Sequence, residues 1–125
     1  MNSTPLTTET NLALGREYID GVFNAHQPDL AAEYRTPDVK WHGGKLGTIE
    51  GPDNIVGLLR GFICGLPDLN AVEQDAIAQG DLVAMRFVIY ATHKGPLFGV
   101  PPTGNHLQWT TVDIYRMEDG KIAEE

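Results

Sequence analysis

Apolar positions recur at helical spacing early in the chain, at Leu12, Tyr18, Ile19, Val22 and Phe23. The spacing predicts a first helix over about residues 10–24, with Gly15 and Gly21 weakening its propensity. Residues 1–9 lack this pattern and are expected to form a flexible tail ahead of one domain over residues 10–125. Residues 24–28 break the helix, and Asp29 is a suitable N-cap for a short second helix over residues 30–34. Residues 35–38 read as a turn, with Thr36 held extended by Pro37. Residues 39–42 read as a short strand before a glycine-containing loop. A third helix is expected from Gly51-Pro52, because proline suits the first helical turn. Ile55, Leu58, Leu59, Phe62 and Ile63 mark its buried stripe, and Gly65-Leu66-Pro67 ends it.

Beyond Pro67 the period changes to two. Strands are predicted over residues 69–78, 82–93, 106–117 and 121–124. Gln79-Gly80-Asp81 and Glu118-Asp119-Gly120 carry hairpin-turn chemistry. Residues 94–105 hold three prolines and three glycines and read as loop. Helices come first and an antiparallel sheet follows, which is an α+β architecture.

Charge narrows the set of partners. Lys and Arg total 9 against 17 Asp and Glu, a net charge of −8, and no basic run occurs. This argues against nucleic acid and anionic membranes, both of which attract basic patches. The polar N-terminus does not resemble a signal peptide, and no stretch approaches the ~20 apolar residues of a membrane span. A cytoplasmic location is therefore expected. Cys64, the one cysteine, lies in an apolar stretch and is expected to be a buried core thiol.

Strand parity selects the candidate chemistry. Over residues 106–117, Leu107, Trp109, Thr111, Asp113 and Tyr115 share one face, whose bulk marks it as inward. A carboxylate there is desolvated, which raises its pKa. Asp113 is then a general acid or base, or a carboxylate bonded to backbone or to a nearby Arg or His. Over residues 82–93, Met85, Phe87 and His93 share the face opposite Arg86 and point inward. His93 is expected to pair with Asp113 across neighbouring strands for proton transfer, or else to bond a carbonyl at the loop mouth. Trp41 faces in by parity and His42 out, unless a bulge intervenes. Met85, Phe87, Phe98 and Trp109 are expected as apolar walls. No metal-ligand spacing, phosphate loop or nucleophile elbow occurs, so neither metal nor cofactor is expected.

Four runs carry a family resemblance. They are residues 16–25 (REYIDGVFNA); residues 51–55 (GPDNI) with Phe62 and residues 66–69 (LPDL); residues 92–95 (THKG) with residues 99–104 (GVPPTG); and residues 112–116 (VDIYR) with residues 118–122 (EDGKI). Together they resemble the SnoaL-like polyketide cyclases of the nuclear transport factor 2 superfamily. The resemblance implies a cone, in which a curved antiparallel (mixed) sheet wraps around three helices and encloses an apolar pocket. It also implies a catalytic acidic residue at Asp113 and a pocket histidine near His42. Relatives continue past the equivalent of residues 123–125 with an aromatic-containing strand that supplies pocket residues.

Tyr18 matches the position where the related ketosteroid isomerase has its oxyanion-stabilising tyrosine. Residues 40–42 lack that enzyme's separate carboxylate base, which argues against steroid isomerisation. Tyr18 is otherwise a core tyrosine with a satisfied hydroxyl. The function expected is cofactor-free acid–base chemistry on a polycyclic or carbonyl-bearing substrate, by cyclisation, isomerisation or dehydration. Asp113 and His93 would move protons, while Tyr18, Trp41, His42, Met85, Phe87, Phe98 and Trp109 would bind substrate. The alternatives are a non-catalytic binder of apolar ligands, an interaction protein acting through the sheet, and a cofactor-independent hydroxylase. A homodimer through the outer sheet face is expected from Val88, Tyr90, Val112 and Ile114.

Overall fold

The computed structural model describes residues 4–125. Helix α1 (Thr4–Tyr18) continues through a wider, π-type turn at Ile19–Asn24. It begins at Thr4, before the expected residue 10. The first three residues of the expected tail lie outside the described residues. At Gly15 a Cβ would sit 3.2 Å from Met85 Sδ, so the glycine lets α1 close onto the sheet. Asn24 ends the helical segment by bonding both backbone groups of Ala71, at 3.0 and 2.7 Å.

A 3-10 helix over Pro28–Tyr34 leads directly into strand β1 (Arg35–His42). Residues 35–38 are therefore strand, not the expected turn. The extended conformation that Pro37 imposes on Thr36 is also what a strand requires. A 3-10 turn at Gly44–Leu46 and a short strand β2 (Thr48–Glu50) were not legible in the sequence. Helix α2 (Pro52–Gly65) begins at its proline as expected. Its outer side exposes Cys64, which corrects the expected buried thiol.

The meander is β3 (Asn70–Gln79), β4 (Leu82–Thr92), β5 (His106–Glu118) and β6 (Lys121–Glu124). The six strands form one mixed sheet in the order β2-β1-β6-β5-β4-β3. Only the β1–β6 pairing is parallel. Asp119 and Gly120 both have positive φ, 50° and 78°, as a two-residue hairpin with right-handed strand twist demands. The β3–β4 register skips between Glu73 and Asp75, a bulge that bends the sheet.

The core fills the concave side. Val83, Met85, Phe87 and Ile89 of β4 and Tyr115 and Met117 of β5 pack against Tyr18, Ile19 and Val22. Ile55, Val56 and Leu59 of α2 complete it. Each such side chain contributes about 1.5–3 kcal/mol by leaving water. The convex side leaves Tyr90, Val112 and Ile114 exposed. Among the described residues no helix is long and apolar enough to cross a membrane.

Candidate active site

The β5 alternation predicted from sequence places Trp109, Thr111 and Asp113 on the concave side, above the fully buried Tyr115. They meet a cavity of about 130 Å³. Its apolar wall is Phe23, Trp41, Leu59, Phe62, Leu69, Ile89 and Trp109. Its polar groups are Tyr18, Thr111, Asp113 and Glu125. Trp41 reaches the cavity because Gly43 has no side chain: a Cβ there would lie 2.1 Å from Trp41 Cζ3.

Beneath the polar end lies Arg35, whose side chain is 1% exposed. The β1–β6 register shifts between Arg35 and Lys40, so the fold and not simple alternation turns it inward. Its Nη2 donates to the Tyr18 hydroxyl and to Glu125 Oε1, the latter at 2.7 Å. Its Nε and Nη1 find no partner among the described residues. Glu125 is placed by backbone pairing beyond β6: its N–H donates to Lys40 O at 2.9 Å, and its carbonyl accepts from His42 N–H at 2.7 Å. The preceding Glu124 turns outward to His42 and Arg116. Alternation then turns Glu125 inward.

Tyr115 Oη donates to Asp113 Oδ2 at 3.2 Å. Burial, reinforced by the negative charge of Glu125, pushes the Asp113 carboxyl up to about 7 against the opposing pull of Tyr115 and Arg35. Burial also raises Glu125, and the Arg35 charge and hydrogen bond oppose that rise. Burial lowers Arg35, but Glu125 and Tyr18 outweigh it and leave the guanidinium firmly charged. Both tyrosines are held above their ordinary range, chiefly by burial. A carboxyl near 7 can give or take a proton at neutral pH, which is what a general acid–base group requires.

Tyr18, Trp41, Trp109 and Asp113 are thus brought together as expected. Five other expected site residues are not. In β4–β5 register Asp113 faces Met85, and His93 lies eight residues further along (85 to 93). That is roughly 25 Å at the usual rise per residue, so His93 is no proton partner of Asp113. Instead His93 is buried at the loop base, with Nδ1 against Thr103 Oγ1 at 3.0 Å. His42 faces outward, held by Glu124 at 2.7 Å and Thr48 at 3.1 Å. Met85 and Phe87 are core residues under α1, outside the cavity wall. Phe98 is 58% exposed and rests edge-on against Phe62 with ring centroids 5.1 Å apart.

Sequence reasoning missed Arg35 and Glu125. No alternation marked Arg35, because the β1 register shifts between Arg35 and Lys40 and Pro37, at the same parity, is exposed. No signal in the sequence marked Glu125. Among the described residues, no three His, Cys, Asp or Glu side chains converge as a metal site would need.

The family model for SnoaL-like polyketide cyclases matches residues 13–125. Among solved structures, AclR of Streptomyces galilaeus, a candidate hydroxylase, is 28% identical with a TM-score of 0.83. The alignment covers 94% of this chain and 86% of AclR. IdmH of Streptomyces antibioticus, a candidate polyketide cyclase, is also 28% identical, over 94% of this chain and 87% of its own, with a TM-score of 0.73. A SnoaL-like protein of Jannaschia is 22% identical over 90% and 82% of the two chains, with a TM-score of 0.75, and supports the fold alone. No curated protein matches significantly.

Proposed function

The chain belongs to the SnoaL-like polyketide cyclase family, and on that premise we propose that it is a small-molecule enzyme working by acid–base chemistry on a carbonyl-bearing ring. The observation that carries this reading is Asp113, a carboxyl raised to about 7 in a largely apolar cavity. Such a group can take a proton from carbon beside a carbonyl, or give one to the carbonyl oxygen, without leaving its working pH range. Tyr18 stands at the same cavity as a hydroxyl that stays protonated, suited to hydrogen-bond a developing enolate oxygen.

Size limits what enters. A cavity of about 150 Å³ holds one benzene-sized molecule, so the 130 Å³ here suits one ring. The remaining rings of a polycyclic substrate would extend past Phe62 towards the exposed Phe98. Trp41 and Trp109 supply flat apolar walls for the reacting ring. Cyclisation by aldol addition, isomerisation and dehydration all begin with this proton transfer. Hydroxylation is the second reading, favoured by the likeness to AclR. It shares the same first deprotonation.

The test is a carbon-detected NMR titration of the Asp113 carboxyl, with and without 1,8-dihydroxyanthraquinone. A midpoint near 7 that moves with ligand supports the reading. A midpoint near 4 that ignores ligand removes Asp113 from any mechanism and leaves a binding protein.

A further inference from the structure

Two carboxylates line the same small cavity, and one buried guanidinium serves both. Asp113 and Glu125 both face the cavity. Arg35 bonds directly to Glu125 at 2.7 Å and has no hydrogen bond to Asp113. Asp113 has only the Tyr115 hydroxyl, on Oδ2. Each carboxylate thus keeps one oxygen, Asp113 Oδ1 and Glu125 Oε2, without a hydrogen-bond partner among the described residues.

Charge counting assigns the protons. Two carboxylates and one guanidinium in a largely buried site carry an excess negative charge if both acids ionise. A buried ion without a counter-ion is costly, so one proton is retained. It belongs on the acid without the guanidinium, which is Asp113. In the resting site Glu125 is the ionised acid, because Arg35 lies against it as counter-ion. The groups facing this pair are Arg35 from β1, Tyr18 from α1, and Tyr115 on β5 itself. The two tyrosines keep their protons at neutral pH.

Building on the acid–base reading above, we propose that Glu125 is a second catalytic carboxylate, the base that takes the carbon-bound proton while Asp113 acts as the acid. In a ketone held in the cavity, Glu125 removes the proton from the carbon next to the carbonyl. The C–H electron pair becomes the C=C bond of the enol. The carbonyl π pair takes the Asp113 proton and becomes the enol O–H. Glu125 ends protonated and Asp113 ionised, so the site's total charge does not change. Arg35 is a positioning residue: it holds Glu125 and, through its charge, sets which acid keeps the proton. The substrate class is an enolisable ring ketone.

The experiment uses the full chain labelled with ¹³C at Asp and Glu carboxyls. Wild type and Glu125→Gln are titrated by NMR. The same proteins and Asp113→Asn are then assayed for deuterium uptake at the α-carbon of 2-indanone in D2O. In Glu125→Gln the neighbouring negative charge is gone and Arg35 is left unpaired. Both changes favour ionised Asp113, so its midpoint falls by at least one pH unit. Exchange falls about a hundredfold or more in each variant, as expected for loss of a positioned acid or base. In wild type the exchange rate drops above pH 7 as Asp113 loses its proton, and Glu125→Gln lacks the acidic limb set by Glu125.

An unmoved Asp113 midpoint, wild-type exchange rates in Glu125→Gln, or a wild-type rate no higher than buffer each overturn the proposal. A wild-type Asp113 midpoint near 4 overturns the acid–base reading itself, a different result from an unmoved midpoint near 7. Should Glu125→Gln fail to fold, the wild-type titration decides. Coupled acids give a two-step shift curve at each carboxyl, and a single-step curve at Asp113 overturns the proposal.

Discussion

Replacing Asp113 by Asn should make this protein more stable at alkaline pH, and by a large amount. The folded-state carboxyl titrates at about 7, against an ordinary 3.8. Between those values the unfolded chain has released its proton and the folded chain has kept it. The unfolded state then binds fewer protons, so stability falls as pH rises through this window. Below the window both states are protonated and the full stability is present. Above it both are ionised and the loss is complete. About three units at about 1.36 kcal/mol each give a loss of about 4 kcal/mol.

The substituted asparagine is nearly isosteric with the protonated acid, can accept the Tyr115 hydrogen bond, and never ionises. Slopes from groups common to both proteins cancel in the difference. Urea unfolding of wild type and Asp113→Asn from pH 4 to 8.5 should show similar stability at the acid end. The variant should gain about 4 kcal/mol by pH 8, or roughly 10–15 °C in Tm for a chain of this length. Parallel stability profiles, separated by a constant within about 0.5 kcal/mol, would refute the buried, proton-retaining Asp113.

Arg35→Met leaves Glu125 buried without its cation and should cost about 3–5 kcal/mol at pH 7 in urea unfolding. Met85→Ala opens a void beneath α1 and should cost about 2–5 kcal/mol, yet leave the Asp113 NMR midpoint where it was, because Met85 lies outside the cavity wall. His93→Gln should also leave that midpoint unchanged; a shift of one pH unit would restore the strand-crossing His–Asp pair. Exposed Val112 and Ile114 form part of an apolar convex patch. If it is a dimer seam, Ile114→Lys should halve the mass seen by light scattering, and a monomeric wild type would dispose of that expectation.

The sequence determined the elements whose physics is local. Two-residue periodicity placed β4 and β5 and told their inner faces from their outer ones, because one face of each strand had to leave water. Asp113 was found this way, as the lone carboxylate on an apolar face. Glycine and proline located the hairpins, the start of α2 and the loop over residues 94–105, since backbone geometry there allows few other residues. Trp41 and Trp109 followed from the same parity.

Tertiary structure decided everything that depends on register across distant strands. His93 and Asp113 share an inward face, but the β4–β5 register separates them along the strands, and no periodicity encodes register. Arg35 and Glu125 are 90 positions apart, and the parallel β1–β6 pairing alone brings them to 2.7 Å. A buried arginine is stable only beside an anion, yet nothing in the sequence names which anion that is. The sequence therefore located the acid, and the fold supplied the charges around it that set its proton.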